Sequence, residues 1–404
     1  MKDRPIYQQL WDELKQEKAM VFVSGPRQAG KTTLAKMISR DYTNSLYVNW
    51  DILDHRTQLL QNPYFFRELP RKDTGRPLII FDEIHKYRDW KNYLKGVYDK
   101  FHSEFDFLIS GSGRLDAYQY TGDSMAGRYA HFRLWPFTLG ELTGQSPDPG
   151  EIFHNPYELR DSTPEILETW NRIRMFSGFP EPYLYGNKRS YRRWSQTYTR
   201  QIIREDIRDM AAIRAIHEVE TLYALILEGI GSPTSIPSLA GTLKSAYNTI
   251  RSRLDLFERL YLTFSITPWH KRIARAVHKE KKTYCWDIPR IKNPGARFEN
   301  MVAGELFRAA SFRTDSGYGD YSVHYVKNKE QLEVDFLVTR DDEPVILIEA
   351  KTGESVPSTA LRKFQEQLKI PAIQLTDQQD TFRLFDNGEM RIMSAPAAMW
   401  LSRL

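Results

Sequence analysis

The stretch MVFVSGPRQAGKTTLAKMI, residues 20–38, constrains the fold of this chain more than any other. A run of β-formers, a glycine-bounded loop and an amphipathic helix start follow one another without a gap, which reads as strand, tight turn and helix. Within it stands Gly25-x4-Gly30-Lys31-Thr32. Glycines at those places let backbone N–H groups approach phosphate, the lysine reaches the outer phosphates, and the threonine hydroxyl ligates Mg²⁺. The loop residues Gly25, Pro26, Arg27, Gln28, Ala29, Gly30, Lys31, Thr32 and Thr33 are the expected nucleotide contacts, with ATP and Mg²⁺ as the expected ligands.

Fifty residues on, RPLIIFDEIHKYRDW holds the apolar run LIIF, which reads as a buried parallel strand ending at Asp82-Glu83. Carboxylates at the tip of a central strand are costly unless used. Asp82 is expected to hold Mg²⁺ through its water shell, and Glu83 to polarise the attacking water as general base. A helix-capping aspartate is the plain alternative for Asp82. A third buried run, DFLISGSGRL, ends in Ser110 and Ser112, whose hydroxyls would lie at the same sheet edge, in reach of a γ-phosphate.

The motifs GPRQAGKTTL, LIIFDEIHKYRDW, FLISGSG and SMAGRY…LWPFTLGEL, with the later SGFPEPY, resemble a prokaryotic family of AAA+-type P-loop ATPases. The resemblance spans most of the chain and is strongest over residues 18–142. It implies Mg²⁺-dependent ATP binding and hydrolysis by the core, followed by a winged-helix region and a C-terminal domain with a restriction-endonuclease-like core. It also gives Arg128 a meaning. An arginine between the helix after the sensor strand and the next strand completes a neighbouring subunit's site in AAA+ ATPases, which implies a homo-oligomer; an ordinary surface arginine is the alternative.

At 404 residues the chain calls for two or three domains, and its 41% hydrophobic and 27% charged content are those of globular proteins. The single cysteine, Cys285, excludes an intramolecular disulfide and a cysteine-based zinc cluster. No signal-peptide core and no run of eighteen apolar residues is present, so a cytoplasmic protein that does not span a membrane is expected. The net charge of +5 is unevenly spread. Residues 188–214 hold eight Lys/Arg against three Asp/Glu, and residues 270–282 hold six against one. Such runs suit a polyanion, or are simply solvated faces.

Residues 143–165, rich in Pro, Gly, Ser and acidic side chains, read as a connector. The pattern from 166 to 230 is helical, and the resemblance makes SGFPEPY part of a lid over the nucleotide. Residues 235–260 divide into a short helix, a turn at Lys244-Ser245-Ala246 and a longer helix with Ile250, Leu254 and Phe257 on one face. Tyr247, Asn248, Arg251 and Arg253 lie elsewhere on that helix, as a helix-turn-helix offering polar and basic groups to a DNA groove requires. The run YLTFSITPW would be a wing strand and HKRIARAVHKEKK a basic flank that neutralises phosphates. A winged helix that only packs on its own chain is the alternative.

The segment EVDFLVTRDDEPVILIEAKTGE, residues 333–354, reads as a hairpin. With residues 340–344 as the turn, Thr339 pairs with Val345 and opposed residue numbers sum to 684. Asp335 then faces Glu349 and Glu333 faces Lys351, all on one face, while Val334, Phe336, Val338, Ile346, Ile348 and Ala350 form an apolar side. Facing carboxylates cost a few tenths to about 1 kcal/mol, so a divalent metal or the Lys351 ammonium is expected to compensate. Asp335 and Glu349 as metal ligands, with Lys351 beside them, resemble the PD-(D/E)xK nuclease core. In ARFENMVAGELFRAA, Glu299 is the candidate for the further acidic residue that such a core carries on a preceding helix; an exposed helical glutamate, or a nuclease-like fold that binds DNA without cutting, is the alternative.

The expected fold is α/β: a P-loop AAA+-like ATPase core over residues 1–142, a connector and helical lid over 143–230, a winged-helix-like region over 231–283, and a restriction-endonuclease-like domain over 284–404. The expected function is Mg²⁺-dependent ATP hydrolysis coupled to a nuclease-like domain acting on DNA. The alternatives are an ATP-switched binding module without cleavage and a winged-helix transcription regulator.

Overall fold

The computed structural model describes residues 2–111, 125–144, 151–207, 215–269, 280–353, 356–379, 382–386, 388 and 391–404. The chain divides into two compact units, Met1–Pro136 and Phe137–Leu404. The expected sensor residue Ser112 and most of the basic segment 270–282 lie outside the described residues, as does the end of the segment 188–214.

The first unit is a five-stranded, all-parallel sheet in the order β2-β3-β4-β1-β5, formed by β1 (Met20–Ser24), β2 (Ser45–Asn49), β3 (Leu78–Asp82), β4 (Asp106–Ser110) and β5 (Ala130–Arg133). The strands β1, β3 and β4 are buried along their whole length, which is why their apolar runs do not alternate. Helix α1 (Pro5–Glu17) precedes β1, and α2 (Lys31–Ile38), α3 (Leu53–Gln61) and α4 (Trp90–Phe101) lie in turn between the strands from β1 to β4. Helix α4 buries Trp90, Leu94, Val97 and Phe101, one stripe at helical spacing. Phe66 sits at the centre of this core, with Phe81, Phe101, Phe105 and Phe107 edge-on around it. Emptying that position would cost about 3–5 kcal/mol.

The register of this sheet matters for chemistry. Asn49 pairs with Asp82, Asp82 with Ser110, and Val23 with Ser110, so the strand ends stand in one row. Ligands of open parallel sheets bind beyond such carboxyl ends.

The second unit carries helices α5 (Lys188–Gln201), α6 (Ile216–Glu228), α7 (Ile236–Leu243) and α8 (Tyr247–Arg259), then an eight-stranded sheet. Its strands are β6 (Thr263–Pro268), β7 (Lys282–Cys285), β8 (Tyr321–Lys327), β9 (Glu333–Arg340), β10 (Glu343–Lys351), β11 (Ala372–Thr376), β12 (Arg383–Asp386) and β13 (Arg391–Pro396). The order is β12-β13-β11-β10-β9-β8-β6-β7. The expected wing strand is therefore β6, antiparallel to β7 and parallel to β8 in the same sheet as the hairpin. Helices α9 (Pro294–Asp315) and α10 (Thr359–Leu368) are among those that pack on this sheet. Asn293 caps α9 by accepting from the Ala296 amide at 3.0 Å, and Pro294 fills its first turn.

The hairpin differs from expectation at its turn. Arg340 pairs with Glu343, leaving a two-residue turn of Asp341 and Asp342, both with positive φ of 50° and 65°. Short aspartates tolerate this left-handed geometry, whose twist matches the strands. Pro344 pairs with Thr339, one residue out of the expected register, and the shift between Pro344 and Ile346 restores the sum of 684 for Ile346, Leu347 and Ile348. Both faces of the hairpin are covered. Leu337 and Leu347, which alternate with the apolar set, pack with Leu361 and Phe364 of α10.

Candidate functional site

In the loop between β1 and α2, Gly25, Gln28 and Gly30 all have positive φ, at 134°, 60° and 101°. Alternating hands in so short a loop turn successive N–H groups to the same side, a concavity suited to an anion. Only glycine fits at 25: a Cβ there would come within 2.2 Å of the Leu134 carbonyl oxygen. Lys31 is buried, and its ammonium donates to the carbonyls of Gly25 at 2.9 Å and Pro26 at 2.7 Å, which holds it over the loop.

Asp82 at the end of β3 is the hub of the row of strand ends. Its Oδ2 accepts from Thr32 Oγ1 at 2.8 Å, Tyr47 Oη at 2.6 Å and Asn49 Nδ2 at 3.3 Å, and its Oδ1 accepts from Ser110 Oγ. Burial and then the Asp82 hydrogen bond push the Tyr47 phenol well above its ordinary range, so Tyr47 keeps the proton it donates to Asp82 while its oxygen accepts from Asn49 Nδ2 at 3.0 Å. A carboxylate beside a threonine hydroxyl is a set of hard oxygens, the chemistry that Mg²⁺ requires. Thr32 and Asp82 thus fit a magnesium site next to a phosphate loop. Tyr47 and Asn49 are missing from the sequence reading; β2 carries no motif, and only the parallel pairing with β3 brings them here.

Glu83 is half-buried, with φ 58° and ψ 20°. A glutamate in left-handed backbone costs about 1–2 kcal/mol, and such outliers gather at functional sites. Its amide donates to the Ser110 carbonyl at 2.9 Å, while Oε2 lies 3.2 Å from Lys86 Nζ and 3.7 Å from His85 Nε2. Arg128 pairs through Nε with Asp99 Oδ1 of α4 at 2.6 Å. That hydrogen bond holds the Asp99 carboxyl below and the guanidinium above their usual ranges.

A second cluster lies in the C-terminal unit. Asp335 Oδ2 accepts from the Ala350 amide at 3.0 Å, which sets Asp335 beside Glu349 across the hairpin. Glu349 is buried, with Oε1 at 3.2 Å from Lys351 Nζ and Oε2 buried without a hydrogen-bond partner. Burial pushes its carboxyl up, Ser358 and Lys351 oppose this, and Asp335 adds to it. Glu299 projects from the second turn of α9. Tyr284 Oη donates to its Oε1 at 2.8 Å, and Asn300, the next residue, fixes the helix to β7 by hydrogen bonds to both the amide and the carbonyl of Cys285. Burial, then the Asp335 charge, raises the Glu299 carboxyl to about 7.

The cation that compensates these carboxylates is one the sequence reading assigned elsewhere. Lys282, expected in a phosphate-neutralising flank, is 2% exposed, with its ammonium 2.7 Å from Glu333 Oε1, 3.4 Å from Glu299 Oε1 and 3.6 Å from Asp335 Oδ1. Burial works against its charge, but Glu299, Asp335 and Glu333 outweigh burial and hold it above the ordinary lysine range. The signal available in the sequence is the alternation Lys282-Thr283-Tyr284-Cys285, which turns Lys282 and Tyr284 to one side of β7. Among the described residues, no three His, Cys, Asp or Glu side chains are grouped to hold a metal ion.

Residues 17–143 match the family model described as an AAA domain. The N-terminal unit thus has the fold of a P-loop ATPase-like core. Residues 167–288 and 294–396 match two models described as domains of unknown function, DUF8612 and DUF4143. Two uncharacterized proteins, one of Mycobacterium tuberculosis and one of Mycobacterium bovis, are each 22% identical over 340 residues, covering 80% of this chain and 68% of theirs. The Walker-type ATPase PABY2304 of Pyrococcus abyssi is 14% identical, with a TM-score of 0.45 over 72% of this chain and 95% of that one.

Beyond the ATPase-like core, the helix-turn-helix does not present all the groups expected of it. The turn at Lys244-Ser245-Ala246 joins α7 and α8, but Arg253 is buried and pairs with Glu218 of α6 at 2.7 Å. Tyr247 and Arg251 line a cavity of about 290 Å³ with Leu254, Asp255 and Glu258, and Leu254 is only half-buried. Buried Ile250, Leu256 and Phe257 form the inner stripe instead. Helix α5 does present a cationic face. Lys188, Arg189, Arg192, Arg193 and Arg200 are exposed, and among the described residues none of them forms an ion pair. The opposite face of α5 buries Trp194, Ser195 and Tyr198.

Proposed function

We propose that the chain hydrolyses ATP and that hydrolysis drives a nuclease-like C-terminal domain acting on DNA. The hydrogen bond from Thr32 to Asp82, beside a loop with three left-handed residues, carries the first half. When bound, Mg²⁺ neutralises charge on the outer phosphates, and Thr32 and Asp82 would hold it. Lys31 steadies the same phosphates from its place over the loop. Glu83, one residue beyond the strand, takes the proton of the water that attacks the γ-phosphorus. Arg128 serves a second subunit only by leaving Asp99.

The grouping of Glu299, Asp335, Glu349 and Lys351 supports the second half, and the unpaired cations of α5 suit a phosphate backbone. The buried aromatic face of α5 favours this over a membrane, into which no apolar side of the helix is free to insert. Lys282 favours a second reading, in which ATP sets a grip on DNA without cutting. Burial of Arg253 and the lining role of Tyr247 and Arg251 weigh against a sequence-reading winged helix. A plasmid nicking assay with Mg²⁺ or Mn²⁺, run beside DNA binding with and without ATP, tests both readings. Metal-dependent nicking lost in Asp335→Ala supports cutting; salt-sensitive binding without nicking supports the grip; neither binding nor nicking removes DNA from the function.

A further inference from the structure

Lysine is almost never fully buried without a partner, and Lys282 has three. Its backbone is fixed on both sides, pairing with Ile266 in the β6–β7 ladder and bridging to Pro233. Its ammonium also lies 5.6 Å from the Tyr325 ring centroid. Gly231, at φ +82°, closes the far side of Glu299, since a Cβ there would sit 2.8 Å from Glu299 Oε2. These elements hold the ammonium among the carboxylates rather than letting it swing to solvent.

We propose that Lys282 is the resident cation of this acidic site: its ammonium stands where a divalent ion would bridge Glu299 and Asp335, and such an ion binds there only when Lys282 is replaced. The proposal rests on reading the domain around Asp335 and Glu349 as nuclease-like, and takes the second reading above, in which that domain grips DNA without cutting it. With every group ionised, which for Glu299 means above about pH 7, Glu299, Glu333, Asp335 and Glu349 supply four negative charges, while Lys282, Lys327 and Lys351 pair with them and supply three positive ones, for a balance of −1. Without Lys282 the balance is −2, the charge that one divalent ion neutralises. The free, buried Oε2 of Glu349 shows that the donor chemistry still suits a hard cation. An ammonium with three donors meets three carboxylates equally well, and it comes with the fold.

Mn²⁺ bound per chain, counted by electron paramagnetic resonance on nucleotide-free full-length protein, tests this. Wild type and Asp335→Ala are expected to bind the same number of ions. Lys282→Gln is expected to bind one more, and Lys282→Gln/Asp335→Ala to lose it again. An ion bound by wild type and lost in Asp335→Ala overturns the proposal, as does a folded Lys282→Gln that gains none. If Lys282→Gln does not fold, the comparison of wild type with Asp335→Ala still decides, and the charge-keeping Lys282→Arg is expected to take no extra ion. An Asp335-dependent ion in wild type sinks the inference and leaves cleavage standing. Uptake of Mn²⁺ by Lys282→Gln with no plasmid nicking by any form supports the inference and removes metal-dependent cleavage.

Discussion

Thr32 Oγ1 donates to Asp82 Oδ2 at 2.8 Å, although fifty residues of chain separate them. The bond places the first hydroxyl of α2 against the last carboxylate of β3. Three further donors, on Tyr47, Asn49 and Ser110, converge on that carboxylate. Asp82→Asn keeps the shape of this group and removes its charge. ATP turnover should fall about 100-fold or more, since a metal ligand contributes several kcal/mol to the transition state. Nucleotide affinity measured without Mg²⁺ should stay within a few-fold of wild type. Full turnover in the variant would remove Asp82 from the magnesium site.

Glu83 is held in left-handed backbone one residue beyond Asp82. Glu83→Gln keeps size and hydrogen bonding but cannot accept a proton. We expect fluorescent-nucleotide binding to persist and steady-state hydrolysis to drop by roughly 10²- to 10⁴-fold, the range for a general base. A variant that turns over at the wild-type rate would leave Glu83 as a partner of Lys86 and nothing more.

Burial, and then the Asp335 charge, push the Glu299 carboxyl up from 4.5 to about 7 in the fold. A folded state that holds its proton more tightly than the unfolded chain is favoured most below about pH 4.5, and that advantage is lost as pH rises through 7. The loss is on the order of 3 kcal/mol. Glu299→Gln removes this dependence, so its urea stability relative to wild type should improve from pH 5 to about pH 7 and then level off. Parallel curves for the two proteins would show that Glu299 does not titrate in that window.

The unpaired cations of α5 make a separate forecast. Replacing Arg189, Arg192, Arg193 and Arg200 by Gln should weaken duplex DNA binding and lower the slope of log affinity against log salt by about 3 to 4, near 0.9 for each phosphate left without its arginine. Fluorescence anisotropy on a labelled duplex at several salt concentrations reads this directly. An unchanged slope would place the DNA contacts elsewhere. Binding of wild type to anionic lipid vesicles but not to DNA would replace the partner.

Much of this was legible along the chain because it depends on neighbours in sequence. The P-loop, the buried runs of β1, β3 and β4, and the turn before α8 are local patterns of apolarity, glycine and chain reversal. The hairpin register from Ile346 to Ile348 agrees with the one drawn from a five-residue turn, while the turn itself has two residues. The choice between a five-residue link and two left-handed aspartates with a compensating shift depends on how the strands twist around Pro344.

By itself, then, the sequence determined where the phosphate loop, the central strands and the candidate carboxylates lie, since backbone propensity and side-chain period act over a few residues. Tertiary structure alone decided which charges meet. Tyr47 and Asn49 reach Asp82 through a neighbouring strand, Arg253 turns inward to Glu218, and Lys282 enters the acidic group by lying in β7. Coulombic partners are chosen by distance in space and by burial, and neither is written in the spacing of residues along a chain.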